Sequence, residues 1–483
     1  MSITYFDTII VGAGISGISA AHYLQTNCPN KTYTILEGRK NIGGTWDLFR
    51  YPGIRSDSDM YTYGFAFKPW VNPKVIAPRK QIIAYLEETI QEEGIDKHIK
   101  FEHKLLKASW SSQTAKWLLT IKVAETDSLQ FFSCSFLSLC MGYYDYENGY
   151  TPIFEGKDDF KGTIIHPQKW DETLNYSNKK IVVIGSGATA ITLIPQLAKK
   201  AAQVTLLQRS PTYIVSMPKI DKFAVWINKK FSRKKAHKIN RFRYIMFQQF
   251  TYTLLRLFPL ATKKLIKFGV AEQLGKGFDV DKHFNPSYKP WDQRLCIVPD
   301  GDFFKAIKAN KAKVVTDNIV RFTQNGIQLK SGELLEADII VTATGLNFQL
   351  FSNIVFEIDG KQIDVSKKVI YKSLMFNNIP NMTFTFGYTN ASWTLKCDMT
   401  NQYTCKLINF MDNNGFKQCM AVQNNPNIKL KPFLNFTPNY LLRVIDKLPK
   451  MGDKNPWRVK QNYYYDKKMY MKSPINDDVL KFK

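Results

Sequence analysis

The chain has 483 residues, a length that exceeds one compact core and predicts two or three domains. Hydrophobic residues account for 44% of it, the share of an ordinary globular protein, which excludes a disordered chain. The net charge is +26 at pH 7, but no base-reading module accompanies it, so nucleic-acid binding is not expected.

The cysteines and histidines are scattered along the chain. Seven cysteines occur without a CxxC pair, which is typical of reduced thiols in the cytoplasm and disfavours a disulfide-reductase site. Six dispersed histidines show no metal-ligand spacing, so no metal site is expected. The N-terminus lacks a secretory signal and no apolar run is long enough to span a bilayer, which predicts a cytoplasmic protein.

A strand, a glycine loop and a helix follow one another at the start of the chain. Residues 5–11 (YFDTIIV) have the pattern of a buried strand, and the loop GAGISG comes directly after them. In such a loop Gly12 permits the tight turn, Gly14 lets the backbone approach a pyrophosphate, and Gly17 allows close helix–strand packing. The diphosphate is then expected at the helix N-terminus, where backbone N–H groups and the helix dipole favour negative charge.

The next predicted strand, residues 32–37 (TYTILE), ends on Glu37. A carboxylate at this position accepts hydrogen bonds from the adenosine ribose hydroxyls and would repel a 2′-phosphate. The first unit is therefore predicted to bind FAD and not NADP.

A second unit of the same kind begins with KIVVIGSGATA and continues to the strand VTLLQRS, residues 204–210. Gly185, Gly187 and Ala190 occupy the three positions of its glycine loop. The two units, each with its own loop, are much stronger evidence than one glycine loop alone. They predict an α/β protein with two Rossmann-like, dinucleotide-binding domains.

The second strand ends on Arg209 where a site for NAD would hold an acid. A guanidinium at this position pairs bidentately with a 2′-phosphate, and Ser210 would add a hydroxyl contact. The second unit is therefore predicted to bind NADPH. The alternative for Arg209 is an ordinary surface charge after a strand.

Residues 160–171, FKGTIIHPQKWD, lie between the two loops and have the form F-x-G-x-x-x-H-x-x-x-W-D. With a glycine loop on either side, the chain resembles the flavin-dependent Baeyer–Villiger monooxygenases, whose fingerprint has this form. Related flavin monooxygenases that oxidise amines and sulfides usually carry Tyr or Phe in place of Trp170. The resemblance implies that His166 lies at a hinge between domains and supports NADPH, with a purely structural histidine as the alternative.

Residues 43–61 (GGTWDLFRYPGIRSDSDMY) resemble a second signature of this family, which lines the flavin. The resemblance implies that Gly44 and Trp46 contact FAD and that Asp57 is the active-site aspartate beside it. Asp59 lies two residues further on, so a swap of roles stays open. An acid here also suits the N-cap of the next helix, which is the expectation for Asp59.

Residues 290–296 (PWDQRLC) contain Arg294, which matches the family's catalytic arginine. The resemblance implies that a C4a-peroxyflavin attacks the substrate carbonyl, that Arg294 stabilises the negative charge, and that Asp57 holds Arg294. Many members carry Lys before this arginine, where it contacts the 2′-phosphate. This chain has Gln293 instead, which transfers more of that role to Arg209.

A basic stretch, residues 222–271, contains thirteen Lys and Arg and no acidic residue. Helical spacing predicts apolar residues on one face and cations on the other. One interpretation is peripheral attachment to an anionic membrane surface. The other is a solvated helical insert whose apolar face packs on the rest of the protein.

These motifs divide the chain into five predicted parts. They are the first part of the FAD domain (1–150), the first part of the NADPH domain (151–215), a basic helical insertion (216–291), the second part of the NADPH domain (292–345) and the return of the FAD domain (346–483). In the last part the resemblance implies that Trp457 contacts the nicotinamide cofactor, although an ordinary packed Trp fits equally well.

The likeness covers essentially the whole chain and includes GYTNASWTLK in its C-terminal third, which is similar to the ethionamide-activating branch of the family. It implies an enzyme that uses FAD, NADPH and O2 to convert ketones to esters or lactones, and that also oxygenates sulfur in sulfides and thioamides. Two alternatives stay open. One is a flavin monooxygenase of the amine and sulfide type, and the other is an uncoupled flavoprotein that oxidises NADPH without oxygenating a substrate.

Overall fold

The computed structural model describes residues 2–293, 295–434 and 438–483. The helices are α1 (Ile15–Asn27), α2 (Thr45–Leu48), α3 (Met60–Tyr63), α4 (Arg79–Glu92), α5 (Ala188–Leu197), α6 (Lys222–Lys230), α7 (Arg233–Leu257), α8 (Pro259–Leu274), α9 (Val280–Phe284), α10 (Asp302–Lys308), α11 (Trp393–Asn413), α12 (Asn439–Leu442) and α13 (Tyr463–Lys472).

The strands of the first half are β1 (Ile3–Val11), β2 (Tyr33–Leu36), β3 (Ile99–Lys100), β4 (His103–Ser111), β5 (Lys116–Val123), β6 (Ser128–Leu139), β7 (Tyr144–Gly149), β8 (Thr163–Ile165), β9 (Lys180–Ile184), β10 (Gln203–Gln208) and β11 (Ile214–Met217). Those of the second half are β12 (Cys296–Pro299), β13 (Ala312–Thr316), β14 (Ile319–Thr323), β15 (Gly326–Leu329), β16 (Leu334–Glu336), β17 (Ile339–Thr342), β18 (Leu346–Phe348), β19 (Val355–Ile358), β20 (Lys361–Ile363), β21 (Ile370–Tyr371), β22 (Met375–Phe376), β23 (Met382–Phe384), β24 (Cys419–Ala421), β25 (Leu430–Pro432), β26 (Lys450–Gly452) and β27 (Leu480–Phe482).

The first sheet contains nine strands within the described part of the chain, in the order β20-β19-β4-β5-β6-β1-β2-β3, with β23 beside β6. Strand β1 runs parallel to both β2 and β6, and Val11 lies opposite Leu36. Helix α1 connects β1 to β2, so the glycine loop lies at the carboxyl end of β1. This edge of a parallel sheet is where α/β proteins bind ligands.

The second sheet has the order β13-β10-β9-β17-β8, and every pair in it is parallel. Its central strands are apolar and buried on both faces, as parallel strands covered by helices are. Strand β8 lies inside the fingerprint at residues 160–171, and β17 ends just before the sequence Ala-Thr-Gly at 343–345. The predicted α/β class with two Rossmann-type sheets is confirmed, whereas the predicted domain boundaries stay a prediction.

Helices α6 to α9 occupy the stretch between β11 and β12, which pair in parallel with Ile214 opposite Cys296. Helix α7 contacts helix α11 and the N-terminus of α3 through polar groups. The Arg241 guanidinium lies 3.0 Å from an Asp398 carboxylate oxygen, and the Gln248 amide donates to Asp59 at 2.6 Å. Within residues 2–293, 295–434 and 438–483, no helix has the length and apolar character needed to cross a membrane.

The exposed side of α7 differs from the expected division into an apolar and a cationic face. Lys235, Lys238, Phe242 and Phe250 follow one another at helical spacing, and all four are exposed. Cations therefore lie at the N-terminal end of the same face that carries apolar side chains further along. Part of α7 packs on the protein as the second interpretation expects, since Ala236 and Ile245 are buried, whereas the large apolar side chains of Phe242 and Phe250 are exposed.

Candidate active site

A cleft of about 740 Å³ lies between the carboxyl ends of the two sheets. Its walls contain residues of both glycine loops, including Gly12 and Gly14 from the first and Gly187 from the second. Each glycine loop directly follows the carboxyl end of a parallel strand, β1 in the first sheet and β9 in the second. The two predicted nucleotide sites therefore open into one space.

The first glycine loop uses its glycines for close approach. Gly12 has a φ of +103°, and a Cβ there would lie 2.8 Å from the carbonyl oxygen of Cys140. A Cβ on Gly17 would lie 1.8 Å from the carbonyl oxygen of Gly12, so helix and loop pack too tightly for any side chain. Gly14 is the N-cap of α1 and leaves the first-turn N–H groups without a side-chain partner. These N–H groups face the cleft and fit a diphosphate.

Glu37 lies where the dinucleotide rule places an acid. One carboxylate oxygen accepts from the backbone N–H of Ala13 at 2.8 Å, and the other accepts from that of Arg39 at 2.9 Å. The residue is 7% exposed, and burial raises the pKa of its carboxyl. Since Glu37 also lines the cleft, its remaining acceptor capacity is available to ribose hydroxyls.

The segment predicted to line the flavin forms the next part of the wall. Gly44 has a φ of +53°, and its ideal Cβ position lies 3.2 Å from the hydroxyl oxygen of Tyr146. Trp46 is buried, and its indole N–H donates to the hydroxyl of Tyr63 at 2.6 Å. Both Gly44 and Trp46 line the cleft, as their assignment to FAD requires.

Asp47 holds this segment in place, a role that the sequence reasoning missed. Its buried carboxylate lies 2.7 Å from the guanidinium groups of both Arg39 and Arg50, and 3.5 Å from that of Arg79. Arg79 also donates to the carbonyl of Trp46. The adjacent Trp-Asp pair in GGTWD was visible in the sequence, but its three arginines come from separate positions along the chain.

The structure separates the roles of the two aspartates. Asp59 is buried and N-caps α3, accepting from the backbone N–H of Thr62 at 2.9 Å and from the Thr62 hydroxyl at 2.6 Å. Asp57 lies on the wall of the cleft. Its charge adds to the burial that raises the pKa of the Tyr51 phenol. The geometry thus favours Asp57 as the residue that faces a ligand.

The second glycine loop repeats the geometry of the first. Gly185 has a φ of +125°, and Gly187 is the N-cap of α5 without a side-chain cap. Ala190 is fully buried in the first turns of α5. The register pairs Leu207 with Ile184, so the chain beyond β10 comes beside this loop.

Arg209 and Ser210 follow β10 directly and are both exposed. The backbone carbonyl of Ser210 accepts from the Ser186 hydroxyl at 3.0 Å, which ties this segment to the second glycine loop. Arg209 itself is not among the residues that line the cleft. Because its neighbour Ser210 is tied to the second glycine loop, an exposed Arg209 fits a contact with the 2′-phosphate of a nucleotide bound there.

Within the fingerprint, His166 directly follows β8 and contacts the segment that follows β17. The His166 Nδ1 accepts from the backbone N–H of Gln168 at 3.1 Å, and Nε2 lies 3.1 Å from the carbonyl oxygen of Gly345. This arrangement requires a neutral ring with its proton on Nε2, and burial lowers the pKa of His166 accordingly. Trp170 is packed in the core. His166 thus links the residues after β8 to those after β17, and its predicted support of NADPH stays a prediction.

The remaining predicted site residues are Arg294 and Trp457. Arg294 lies outside the described residues, directly after Gln293, which lines the cleft. Trp457 is 3% exposed and packs edge-on against Tyr371, with ring centroids 5.7 Å apart. Its surroundings in this structure are those of a packed core residue.

Helix α11 contributes a further part of the wall that sequence reasoning did not assign. Trp393 lines the cleft, and its indole N–H donates to the Ser16 hydroxyl at 2.8 Å, so α11 and the first glycine loop are joined. Tyr388 lines the cleft from the preceding loop and donates to the buried Asp466 at 2.8 Å. Both residues belong to GYTNASWTLK, whose resemblance to the family is the sequence signal for them.

The groups along the cleft fit two dinucleotides. Two helix N-termini offer backbone N–H donors, and Glu37 offers an acceptor beside the first of them. Around the ideal Cβ position of Gly187, no described atom lies within 4 Å, which leaves room for the backbone to approach a phosphate. Donors for diphosphates and an acceptor for a ribose are the groups that such cofactors need.

Comparisons with known proteins agree with this geometry. The family model for FMO-like, flavin-binding monooxygenase-like proteins matches residues 7–390. The chain is 52% identical to the FAD-containing monooxygenase EthA of Mycolicibacterium smegmatis over 479 residues, which are 99% of this chain and 97% of that protein.

Two solved structures share the fold. Oxidized steroid monooxygenase bound to NADP has a TM-score of 0.72 at 20% identity and covers 87% of this chain and 88% of its own. The open crystal structure of cyclohexanone monooxygenase has a TM-score of 0.73 at 20% identity, covering 87% and 90%. With the family model spanning both glycine loops and the cleft between them, the chain belongs to the FMO-like family of flavin-binding monooxygenases.

Proposed function

We propose that this flavin-binding monooxygenase holds FAD on its first glycine loop and NADPH on its second, and uses O2 for Baeyer–Villiger oxidation of ketones to esters or lactones. We further propose that it oxygenates sulfur in sulfides and thioamides. The carrying observation is the single cleft that both glycine loops share with Trp46, Asp57 and Gln293. A nicotinamide and a flavin bound there would face each other directly.

The residues of the chain bind and orient the reactants in this proposal. The α1 N-terminus and Glu37 hold FAD, and the α5 N-terminus with Arg209 holds NADPH. When bound, the flavin accepts a hydride from the nicotinamide and activates O2. The buried walls keep water from the reacting atoms, which suppresses hydrolytic side reactions.

Arg294 is the proposed catalytic residue, and Asp57 is the proposed positioning residue. A permanently charged guanidinium stabilises the negative charge that develops on oxygen when a ketone carbonyl is attacked. A carboxylate beside the guanidinium would hold it in the orientation that this contact needs. Loss of one such stabilising group typically costs about 3 kcal/mol of barrier.

The Baeyer–Villiger fingerprint and the relation to EthA support different parts of this proposal. Trp170 at the end of the fingerprint favours ketone oxidation over the amine and sulfide type. The 52% identity to EthA supports the flavin-dependent monooxygenase reaction with FAD as the cofactor.

The test uses the purified, flavin-containing protein. NADPH is added without O2 and the loss of flavin absorbance is followed, and then 18O2 is added together with a linear ketone, a cyclic ketone or methyl phenyl sulfide. We expect rapid flavin reduction and an ester or lactone that carries one 18O atom. Sulfoxide without any ester would instead assign the amine and sulfide type. Stoichiometric H2O2 with no oxygenated product from any substrate would assign an uncoupled oxidase.

A further inference from the structure

A short stretch of chain, residues 51–57, lies at the cleft between the two nucleotide-binding units and carries Asp57 at its end. It lies between α2 and α3 in the sequence, and most of its members line the cleft: Tyr51, Ile54, Arg55, Ser56 and Asp57. The position of Asp57 therefore depends on the contacts that hold this stretch. We call it the 51–57 segment.

Backbone hydrogen bonds tie the segment to the first unit. The N–H of Ser56 donates to the carbonyl of Ala77 at 2.9 Å, and the N–H of Arg79 donates to the carbonyl of Ile54 at 3.0 Å. These bonds lie on either side of Arg55, so the chain there is extended and paired with the residues that lead into α4. Movement of Arg55 is thereby transmitted to the residues that follow it.

The same segment packs directly against α5 of the second unit. Gly53 has a φ of +82°, and a Cβ there would lie 3.1 Å from the carbonyl oxygen of Thr192 on α5. The side chain of Thr189, which belongs to the second glycine loop, lies beside the hydroxyl of Tyr51. The segment is therefore in contact with both units.

An ion pair strengthens the contact with the second unit. The Arg55 guanidinium lies 2.6 Å from one carboxylate oxygen of Asp302 and 3.4 Å from the other, and its side chain is only 10% exposed. Asp302 begins α10, where it also accepts from the backbone N–H of Phe303 at 2.8 Å. Helix α10 packs on α5, so this pair joins the segment to the body of the second unit.

Asp302 also keeps the Arg55 charge occupied. Asp57 lies two residues beyond Arg55, and both charges reach the phenol of Tyr51: beyond the effect of burial, Asp57 raises its pKa and Arg55 lowers it. Opposite charges this close attract strongly where water is largely excluded. Without the Asp302 carboxylate, the Arg55 guanidinium would turn toward Asp57 and compete for it with other groups in the cleft.

We propose that Asp302 is a positioning residue for the proposed reaction. Through Arg55 it holds the 51–57 segment against the second unit and leaves the Asp57 carboxylate directed at the cleft. Asp302 itself is not among the residues that line the cleft, so it acts only through Arg55. This inference rests on the proposed binding of FAD to the first glycine loop and of NADPH to the second.

The first measurement needs no turnover. Amide hydrogen exchange is followed in the flavin-containing protein without NADPH, for the wild type and for Asp302→Asn. The variant should exchange the Ser56 and Arg79 amides roughly tenfold faster, because an opening that the ion pair opposes becomes more frequent. Asp302→Glu retains the carboxylate and should restore part of the protection. Unchanged exchange in Asp302→Asn would overturn the proposal.

The second measurement follows flavin reduction by NADPH without O2. At saturating NADPH, Asp302→Asn should reduce its flavin about tenfold to a hundredfold more slowly, since small displacements of reacting groups are costly. Binding of NADP+ should change little, and reduction of the flavin by light and EDTA should keep the wild-type rate. Both measurements are independent of the oxygenated product, so failure of the Baeyer–Villiger assignment would be seen separately, as the absence of ester.

A double variant tests whether the two residues act as a pair. Arg55→Gln with Asp302→Asn should reduce its flavin no more slowly than Asp302→Asn alone, because the competing guanidinium is gone as well. A double variant slowed by the product of the two single effects would overturn the proposal. So would weaker NADP+ binding in Arg55→Gln together with normal reduction in Asp302→Asn, which would assign Arg55 to the nucleotide itself.

The control removes a similar ion pair outside the cleft. The Arg321 guanidinium lies 2.8 Å from a carboxylate oxygen of Asp159, and neither residue lines the cleft. Asp159→Asn should keep the wild-type rate of flavin reduction and the wild-type exchange of the 51–57 segment. Equal effects of Asp159→Asn and Asp302→Asn would show a general loss of stability and would overturn the positioning role.

Discussion

Glu37 accepts a hydrogen bond of 2.8 Å from the backbone N–H of Ala13, which joins the end of β2 to the first glycine loop. The acid therefore both shapes the loop and faces the cleft. A dinucleotide bound there would meet a carboxylate that the fold has already oriented. Such orientation lowers the entropy lost when a ligand binds.

We expect Glu37→Gln to retain FAD less well than the wild type. The amide would turn an N–H toward one of the two backbone donors that Glu37 now accepts from, and an unmatched buried donor costs about 1–3 kcal/mol. The dissociation constant for FAD, measured by reconstitution of the apoprotein, should rise by roughly tenfold to a hundredfold. Glu333→Gln, at an exposed position, is the control, and equal affinity in both variants would contradict the prediction.

Two glycine substitutions form a matched pair. A Cβ on Gly14 would meet no atom closer than 3.7 Å, and one on Gly187 would meet none within 4 Å among the described residues. Both proteins should fold, but the added methyl group occupies the space where a phosphate approaches. Gly14→Ala should lose FAD and Gly187→Ala should raise KM for NADPH. If each change affected both cofactors equally, the assignment of the loops would be wrong.

Arg209 should control the choice between NADPH and NADH. Replacement by Gln removes a charge-assisted contact to the 2′-phosphate that is typically worth about 1.5–3 kcal/mol. Steady-state kinetics of Arg209→Gln should show KM for NADPH raised by roughly tenfold to a hundredfold and little change for NADH. Lys313→Gln, an exposed cation on β13, controls for net charge. A parallel rise for both nucleotides would show that Arg209 does not contact the phosphate.

The two neighbouring aspartates should fail in different ways. Asp59→Ala removes three hydrogen bonds, the N-cap bond from the Thr62 N–H and those from the Thr62 hydroxyl and the Gln248 amide, so we expect a loss of about 2 kcal/mol in the free energy of unfolding. Asp57→Ala should lower ester formation per NADPH oxidised, because Asp57 lies on the wall of the cleft. Denaturant titration and product analysis of both proteins check this. Normal coupling in Asp57→Ala would remove the residue from the proposed mechanism.

His237 on α7 should make stability depend on pH. Burial, with a smaller contribution from the Arg241 charge, lowers the pKa of His237 to about 4. Between that value and the ordinary pKa near 6.5, the unfolded chain binds a proton that the native protein does not. Stability should therefore be complete above pH 6.5 and fall as the pH is lowered.

The expected loss between pH 7.5 and pH 5 from this one group is about 2 kcal/mol. Denaturant unfolding of the wild type and His237→Gln at both pH values isolates it, because the variant cannot take up this proton. We expect the stability of the variant to fall less over the same interval. An identical fall in the two proteins would show that His237 does not titrate as proposed.

The sequence by itself determined the two strand–loop–helix units and the residues that end their strands. These features depend on local geometry, since the glycines, the alternation of apolar residues and the position of Glu37 act within about thirty residues. For the same reason the N-cap role of Asp59 was predictable from its place before α3.

Only the tertiary structure decided which groups meet. Asp47 is paired with Arg39, Arg50 and Arg79, and Trp393 reaches Ser16 across the chain. It also decided that α7 buries Arg241 and exposes Phe250, although helical spacing alone favours burial of the apolar face. Spacing defines the faces of a helix, whereas the partner that covers each face depends on contacts between residues far apart in the chain, and no local pattern encodes these.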